Sequence, residues 1–432
     1  MHGHPPAARR KRQRDLAAQP FGSAGDENNR GRRGWFHEVG AQEAEGRAIA
    51  DNSGVTSPTM TTPASLTSPL SGRIREAIAA AGGWIGFDRF MAMALYTPGL
   101  GYYAHDSRKF GLMPAGVKGG GSDFVTAPEL SPRFGQALAR QVGQALQATA
   151  TDEVWEFGAG SGALAAQLLQ ALGPQVRRYT IVDLSGSLQA RQRERLADWG
   201  SAVRWVSELP AQMQGVVVGN EVLDAMPVQL LVRVGGLWQE RGVAVQDQTL
   251  VPADRPTALR PPMDVVGDHD YLTEIHPQAE AFVATLADRL QAGAVFLIDY
   301  GFPEHEYYHP QRSMGTVMCH RAHLLDADAL RDVGDKDITA HVNFSGIALA
   351  GQAAGLQVLG YTSQARFLLN CGVLGGMEDA PLAERVMVQK LVNEHEMGEL
   401  FKVIAFVVDS ADRPWGGWQA MGFSAGDRTH AL

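Results

Sequence analysis

"EVWEFGAGSGALAAQLLQALG", residues 153–173, holds a strand, a turn and a helix in direct succession. Its first residues are mostly bulky and apolar, which predicts a short buried strand. Three glycines at alternate positions predict a turn, and the apolar residues after them recur at helical spacing until Gly173-Pro174 stops the helix. Such a unit predicts an α/β fold if the alternation continues along the chain.

The alternation does continue. Further helices are predicted at 187–200, 276–293 and 344–355, and further strands at 178–185, 202–209, 215–221, 294–301, 356–363 and 401–409. The segment 231–245 has the pattern of a β-hairpin and is interpreted as an insertion. The chain is therefore predicted to form a mostly parallel sheet covered on both faces, with its ligands beyond the carboxyl ends of the strands.

The glycine-rich turn predicts the kind of cofactor. Gly158, Gly160 and Gly162 allow close approach of a ligand to the backbone, but their spacing differs from the G-x-G-x-x-G of dinucleotide sites. Glu156 precedes them and would repel a pyrophosphate, whereas it can attract an ammonium group. Asp183 ends the next strand, where an acid can accept hydrogen bonds from ribose hydroxyls. The pattern favours S-adenosylmethionine over a dinucleotide or a purely structural turn.

A second strand end, in "VVVGNEVLDAMPV" (216–228), carries two acids where a buried strand stops. Asn220 is assigned to the cofactor site. Glu221 and Asp224 are assigned to the site of the molecule that accepts the methyl group, as catalytic and substrate-binding residues. The alternative is structural: Asp224 caps the following turn and Glu221 pairs with a basic residue such as Arg312.

Composition limits the class of protein. The 432 residues are 45% hydrophobic and 20% charged, which is ordinary for a soluble globular chain. A net charge of -9 argues against a general nucleic-acid binder. Cys319 and Cys371 cannot form a disulfide framework, and no apolar run is long enough to span a bilayer. A cytoplasmic location without a membrane span is expected.

Residues 1–60 differ from the rest. They are rich in Arg, Gly and Ala and show no helical or strand period, so they are expected to be a disordered extension. The Arg-Lys cluster at 9–14 leaves a nucleic-acid or membrane tail open, and the acids of the segment argue against a transit peptide. The segment can also be non-native sequence upstream of a start at Met60.

The chain resembles the MidA family of S-adenosylmethionine-dependent methyltransferases, whose mitochondrial members methylate an arginine on a core subunit of respiratory complex I. The resemblance covers about residues 70–408 and rests on several long motifs, which are "LYTPGLGYYA" (95–104), "SDFVTAPELSPRFGQ" (122–136), "EFGAGSGALA" (156–165), "GNEVLDAMPV" (219–228), "IDYGFPEHEYYHPQR" (298–312), "GTVMCHRAH" (315–323) and "DITAHVNFSGIA" (337–348). Asp183 stands where relatives often have Glu.

The resemblance implies a class I methyltransferase fold. This is a Rossmann-like sheet of seven mostly parallel strands, the last two antiparallel to their neighbours, with extra helical and hairpin insertions. The expected organisation is a disordered extension at 1–60, a helical region at 70–140, and a catalytic domain at 141–432 with insertions at 229–275 and 302–340.

The resemblance also implies roles for other residues. Thr126, Pro128 and Glu129 are expected to line the cofactor pocket, although residues 128–131 can equally form a turn that caps a helix beginning near Pro132. His341 is a candidate for orienting substrate or, as readily, a structural histidine. Metal ligation is not expected, because Cys319, His320 and His323 lie too close together for a structural zinc site.

The resemblance implies methylation of an arginine in a protein substrate, such as a respiratory complex I subunit. Carboxylates suit this acceptor because a guanidinium stays protonated at neutral pH. Nucleobase or glutamine methylation is disfavoured, since the strand end reads Asn220-Glu221-Val222-Leu223 without an N-P-P-Y-like sequence. The alternative function is an inactive methyltransferase-like assembly factor, which should have lost the glycines or Asp183.

Overall fold

The computed structural model describes residues 68–104, 126–183, 185–321, 324–326, 328–409 and 415–432. These residues fall within one compact unit, Pro63–Leu432. The predicted disordered extension at 1–60 lies outside the described residues. No described helix has the length and hydropathy needed to cross a membrane.

The described helices and strands alternate through most of the chain. The helices are α1 (Pro69–Ala80), α2 (Phe87–Tyr96), α3 (Ala127–Leu130), α4 (Pro132–Ala148), α5 (Ala163–Leu172), α6 (Gly186–Arg195), α7 (Pro277–Arg289), α8 (Glu304–Tyr307), α9 (Phe344–Ala353), α10 (Gln364–Asn370) and α11 (Leu382–Val392). The strands are β1 (Trp84–Gly86), β2 (Glu153–Phe157), β3 (Arg178–Val182), β4 (Val203–Val206), β5 (Met213–Asn220), β6 (Gln229–Val234), β7 (Leu237–Gln246), β8 (Thr249–Pro256), β9 (Tyr271–Ile275), β10 (Leu290–Phe302), β11 (Met318–Arg321), β12 (Leu324–Asp326), β13 (Asp337–Thr339), β14 (Val342–Asn343), β15 (Leu356–Ser363) and β16 (Phe401–Val408).

The central sheet has the order β15-β16-β10-β5-β2-β3-β4. Strands β4, β3, β2, β5 and β10 are parallel to one another, and β16 is antiparallel to both β10 and β15. The short strand β14 adds a parallel pair to the end of β10. The class I methyltransferase fold is therefore confirmed, and each of the last two strands is antiparallel to its neighbours as expected.

The period of two in β5 divides its side chains between two layers. Val216 and Val218 pack in a core cluster with α4 and α5, and Val217 packs in a second cluster with α7 and α9. All three valines are buried, which explains why this strand has a continuous apolar run rather than an alternating one. The polar residues that follow the run therefore begin where the covered part of the sheet ends.

The predicted helical region at 70–140 is interrupted between α1 and α2 by a short strand. Gly82 and Gly83 have φ of 77° and 94°, so they end α1 in a conformation that glycine adopts readily. Strand β1 follows and pairs antiparallel with β7 before α2 begins. The helix period thus holds on either side of a short strand that has too few residues to show a pattern of its own.

A second, antiparallel sheet lies in the predicted insertion at 229–275. Strands β6 and β7 form the predicted hairpin, turning at Gly235-Gly236, and β8, β9 and β1 complete the sheet. The predicted insertion at 302–340 contains a small sheet of order β12-β11-β13. Helix α4 runs across the predicted domain boundary between 140 and 141, and it packs on the central sheet along its length.

Candidate active site

A cavity of about 640 Å³ opens at the carboxyl ends of β2, β3, β5 and β10. Its volume is in the range of small-molecule sites. Most of the predicted site residues line it, namely Thr126, Pro128, Glu129, Glu156, Gly158, Gly160, Asp183, Asn220, Glu221 and Asp224. Gly162 and His341 do not belong to its lining. The strand ends that the sequence singles out therefore meet at one place.

The glycine turn after β2 lies against the turn after β5. Gly158 has a φ of 63°, and a Cβ there would stand 3.0 Å from the Val222 side chain. Gly162 is the N-cap of α5 with a φ of 81°, and it faces Gln192 on α6 rather than the cavity. We conclude that Gly158 allows the two turns to pack closely, whereas Gly162 serves the turn into the helix.

Glu156 is buried at the end of β2, within the sheet. The hydroxyl of Tyr179 on β3 donates to its Oε2 at 2.6 Å. Burial raises the pKa of the Glu156 carboxyl to about 7; the Tyr179 hydrogen bond lowers it and the charge of Asp183 raises it further. A cationic group in the cavity would favour the ionised form of this carboxyl.

Asp183 is held in place by its neighbours. The backbone N–H of Ser185 donates to Oδ1 and the amide of Gln192 donates to Oδ2, each at 2.8 Å. Burial raises the pKa of Asp183, and both hydrogen bonds lower it in part. Each oxygen retains a lone pair, so the carboxylate can still accept hydrogen bonds from hydroxyls in the cavity.

Helix α3 closes one side of the cavity beside the glycine turn. Glu129 forms an ion pair with Arg195 of α6 at 3.0 Å, and both side chains hydrogen-bond the Ser161 hydroxyl. Ser131 caps α4, which begins at Pro132 as predicted. Ser131 therefore caps the helix as the structural alternative predicts, and Thr126, Pro128 and Glu129 also line the cavity.

Asn220 ends β5 with an unsatisfied polar atom. Its Nδ2 donates to Glu221 Oε1 at 3.0 Å. Its Oδ1 is buried and has no hydrogen-bond partner among the described residues. Buried polar atoms are usually paired, and Asn220 lines the cavity, so a ligand that displaces its neighbours could supply the missing donor. The ammonium group of S-adenosylmethionine is such a donor.

Glu221 combines a strained backbone with a half-buried carboxyl. Its φ is 54°, in the left-handed region that a non-glycine residue seldom adopts. Burial raises the pKa of the Glu221 carboxyl to about 8, and the charges of Asp224 and Asp337 add to this shift, against the hydrogen bond from Asn220. Among the described residues no Lys or Arg pairs with Glu221; Arg312 donates from its Nε to the Glu306 carbonyl instead.

Asp224 is buried, with an exposure of 5%. The hydroxyl of Tyr300, on β10, donates to Oδ2. Oδ1 has no hydrogen-bond partner in the described part of the chain. Burial raises the pKa of the Asp224 carboxyl, and the Tyr300 hydrogen bond and nearby backbone N–H groups lower it in part. The turn after β5 is capped by Asp299 rather than by Asp224, contrary to the structural alternative.

Three further residues of this end of the cavity, Tyr96, Tyr103 and Asp337, were not assigned to the site from the sequence. Tyr96, Tyr103 and Asp337 line the cavity, and the Tyr103 hydroxyl donates to both oxygens of Asp337 at 2.9 Å. The rings of Tyr96 and Tyr103 stack with their centroids 5.6 Å apart. We call the part of the cavity lined by Glu221, Asp224 and Asp337 the acidic end. Aromatic rings flank it, which suits a flat cation.

His341 lies behind this wall, with its ring 5.2 Å from that of Tyr300 and 5.3 Å from that of Phe302. Burial lowers the pKa of His341 to about 4, with contributions from Arg312 and Lys402. Its Nδ1 is buried without a hydrogen-bond partner among the described residues. This position supports the structural interpretation of His341 more than direct contact with substrate.

The predicted absence of a metal site concerns Cys319, His320 and His323. Cys319 is buried and His320 lies beside it on β11, whereas His323 lies outside the described residues. In the described part of the chain, no three acidic, histidine or cysteine side chains group as metal ligands would.

Comparison with known proteins agrees with this geometry. A family model described as "Putative S-adenosyl-L-methionine-dependent methyltransferase" matches residues 137–362, just over half of the chain. The chain belongs to this family. The resemblance to the MidA family of S-adenosylmethionine-dependent methyltransferases is confirmed, and the protein is a methyltransferase of this class.

Two kinds of relative are informative. A crystal structure from Burkholderia thailandensis, bound to S-adenosyl-homocysteine, is 50% identical with a TM-score of 0.78, over 84% of this chain and 96% of the other. The protein arginine methyltransferase NDUFAF7, mitochondrial, of Danio rerio is 25% identical over 74% of this chain and 82% of its own length. The Homo sapiens protein of the same name is 26% identical over 74% and 79%.

The residues of this chain fit S-adenosylmethionine, the cofactor of the family. Gly158, Gly160, Asp183, Asn220 and Glu156 all line the cavity. Asp183 would hold the ribose hydroxyls, and Asn220 and Glu156 would lie at the cationic end of the cofactor. The bound cofactor supplies an activated methyl group on its sulfonium. The protein's own part is to hold the acceptor in line and to exclude water.

Proposed function

We propose that this methyltransferase transfers the methyl group to an arginine side chain of a protein substrate. The observation that carries the proposal is the acidic end of the cavity, where the buried Asp224 and the half-buried Glu221 have no ion pair among the described residues. Two such carboxylates are costly unless a cation arrives to pair with them. A guanidinium is a flat cation with five N–H donors, and it is permanently charged.

The residues of the acidic end would perform three tasks. Asp224 Oδ1 and the Glu221 carboxylate accept N–H bonds and so fix the plane of the guanidinium. Tyr96 and Tyr103 cover its face. As the new N–CH₃ bond forms, the nitrogen loses one proton, and a carboxylate beside it can accept that proton.

The names of the relatives support the same acceptor. Proteins called arginine methyltransferases match three quarters of this chain, with the glycine turn and the strand ends in the aligned region. A respiratory complex I subunit is the substrate class that the MidA resemblance suggests. The retained Gly158, Gly160 and Asp183 argue against the alternative of an inactive assembly factor, because such a protein has no need of a cofactor site.

The test is methyl transfer from labelled S-adenosylmethionine to proteins of the native cell, followed by mass spectrometry of the labelled residue. We expect label on arginine. We expect Glu221→Gln and Asp224→Asn to lower turnover by about a hundredfold, the usual effect of removing a preorganised electrostatic contact. S-adenosyl-homocysteine affinity, measured by calorimetry, should stay within about threefold of wild type.

The matched control is Glu280→Gln. Glu280 lies on α7 outside the cavity, and burial together with Glu304 raises the pKa of its carboxyl. This variant should keep full turnover. Label on another residue type would overturn the arginine proposal, and cofactor binding without any transfer would favour the assembly factor.

A further inference from the structure

The turn after β5 directs three consecutive backbone N–H groups at one oxygen atom. The N–H groups of Val222, Leu223 and Asp224 donate to Asp299 Oδ2 at 3.0, 2.9 and 3.3 Å. Consecutive N–H groups that converge in this way form an anion-binding nest. The carboxylate that fills the nest comes from the neighbouring strand.

The position of Asp299 follows from the register of the sheet. Ile298 is paired with Asn220 in the last rung of the β5–β10 ladder, so Asp299 is the first β10 residue beyond it. Its side chain is 1% exposed, and its Oδ1 accepts from the Tyr300 N–H at 3.0 Å. Among the described residues it has no ion pair, so its hydrogen bonds to this turn are its main interactions.

Two adjacent residues of β10 therefore bind Asp224, one at its backbone N–H and the other at its carboxylate. Asp299 fixes its backbone, and the hydroxyl of Tyr300 fixes its Oδ2. Only Oδ1 is left without a partner in the described chain. The turn also begins at Glu221, whose left-handed φ of 54° needs surrounding structure to maintain it.

We propose that Asp299 is a positioning residue for methyl transfer, which orients Glu221 and Asp224 toward the acceptor by fixing the 222–224 turn. The proposal rests on the proposed function, because it assigns the acceptor to these carboxylates. Asp299 lies behind the turn and contacts the acceptor only through it. Asp183, on the cofactor side, has its hydrogen bonds with Ser185 and Gln192 and not with this turn.

Loss of Asp299 would leave three buried N–H groups without their acceptor. Such groups are costly, so the turn would rearrange to find other partners. A displacement of about 1 Å in a catalytic group can cost on the order of a hundredfold in rate. Asparagine at this position keeps one oxygen that can accept the N–H bonds, and alanine keeps none.

The experiment compares Asp299→Asn with Asp299→Ala by turnover, acceptor KM and S-adenosyl-homocysteine affinity. We expect Asp299→Ala to lower kcat by about a hundredfold relative to wild type. Asp299→Asn should have a kcat at least tenfold higher than that of Asp299→Ala. Cofactor affinity should stay within about threefold in both. Amide hydrogen exchange should accelerate at 222–224 in the alanine variant and remain unchanged in α5, which follows the glycine turn.

The control is Asp427→Ala, in another capping aspartate. Asp427 Oδ1 accepts the N–H groups of Tyr361 and Thr429 at 3.1 Å, away from the cavity. This variant should lose stability but keep kcat. A fall in cofactor affinity that matches the fall in kcat, or full kcat in Asp299→Ala, would overturn the positioning role.

The two proposals fail in different ways. If wild-type protein methylates an acceptor other than arginine, the proposed function fails. The same kcat comparison on that acceptor, and the exchange measurement, still decide the role of Asp299.

Discussion

At the end of β5, Glu221 carries two separate costs. A non-glycine residue in the left-handed region costs about 1–2 kcal/mol, and burial opposes ionisation of its carboxyl. Neither cost is offset within the fold, since no Lys or Arg among the described residues forms an ion pair with Glu221. Strained and desolvated residues of this kind concentrate at functional sites, where the substrate compensates them.

The pH dependence of stability tests this directly. Because the pKa of Glu221 is raised from 4.5 to about 8 on folding, the folded state binds its proton more tightly than the unfolded state. The cost is absent below about pH 4.5, grows as the pH rises, and is complete above about pH 8. Glu221→Gln should therefore melt at nearly the wild-type temperature at pH 5 and several degrees higher at pH 8.5.

Thermal melts across this pH range, with Glu194→Gln as the control on the exposed face of α6, provide the measurement. The control should follow wild type at every pH. A Glu221→Gln variant that is less stable than wild type at pH 8.5 would show that its carboxylate is paired in the fold.

The site residues that the sequence could predict are those that lie where an apolar strand ends. Asp183, Asn220 and Glu221 each follow an apolar run directly, and parallel strands bring such positions together. Asp299 gives the same signal in "FLIDYG" and could have been found by it. Tyr300 and Asp337 could not, because what makes them site residues is a contact with Asp224 or Tyr103 far away in sequence.

At the scale of elements, α3 and α6 are tied across the glycine turn. Glu129, Arg195 and Ser161 form the tie, and Arg195 reaches Ser161 Oγ at 2.7 Å. Because Glu129 and Ser161 line the cavity, the tie should hold the turn in the shape that the cofactor needs. A partly exposed ion pair contributes only about 0.2–1 kcal/mol.

We expect Arg195→Ala to weaken S-adenosyl-homocysteine binding about two- to fivefold, as that energy implies. The loss should shrink at 1 M NaCl, because salt screens the wild-type ion pair. Calorimetry at low and high salt measures both effects. Arg133→Ala, which breaks the Arg133–Glu384 pair between α4 and α11, is the control and should leave the affinity unchanged. An equal effect of the two variants would show that the tie has no special role.

Elements differ in how far sequence predicts them. The long strands of the central sheet are buried on both faces, so their apolar runs are visible without any knowledge of partners. Strands β1, β13 and β14 have three residues or fewer, and their pairing with β7, β11 and β10 is decided by tertiary contacts. A pattern of period two cannot appear in so few residues.

At the scale of the whole molecule, the aromatic side of the acidic end is supported by a different core from the strand ends. The cofactor end lies on the two clusters that sandwich the central sheet. Tyr96 and Tyr103 at the acidic end belong to α2 and the residues after it. These elements pack in a third cluster with β6, β7 and β13. Damage to the third cluster should therefore affect acceptor use more than cofactor binding.

Phe90 is the residue for this last test. It lies on α2, is fully buried in the third cluster, and packs 5.6 Å from the ring of Phe87. Phe90→Leu should cost roughly 1–2 kcal/mol, less than the 3–5 kcal/mol of a change to alanine. We expect kcat to fall severalfold while S-adenosyl-homocysteine affinity stays within about twofold, because α2 carries Tyr96 and not the glycine turn.

Phe406→Leu is the matched control, since Phe406 is equally buried but lies in β16 against Gly351 of α9. It should lose a similar amount of stability in chemical denaturation and keep kcat. If both variants lost kcat in proportion to stability, catalysis would depend on the rigidity of the whole protein. A selective loss in Phe90→Leu would instead mean that the insertion sheet and the helices packed on it form the acceptor half of the enzyme, so that substrate choice can vary there while the cofactor half stays the same.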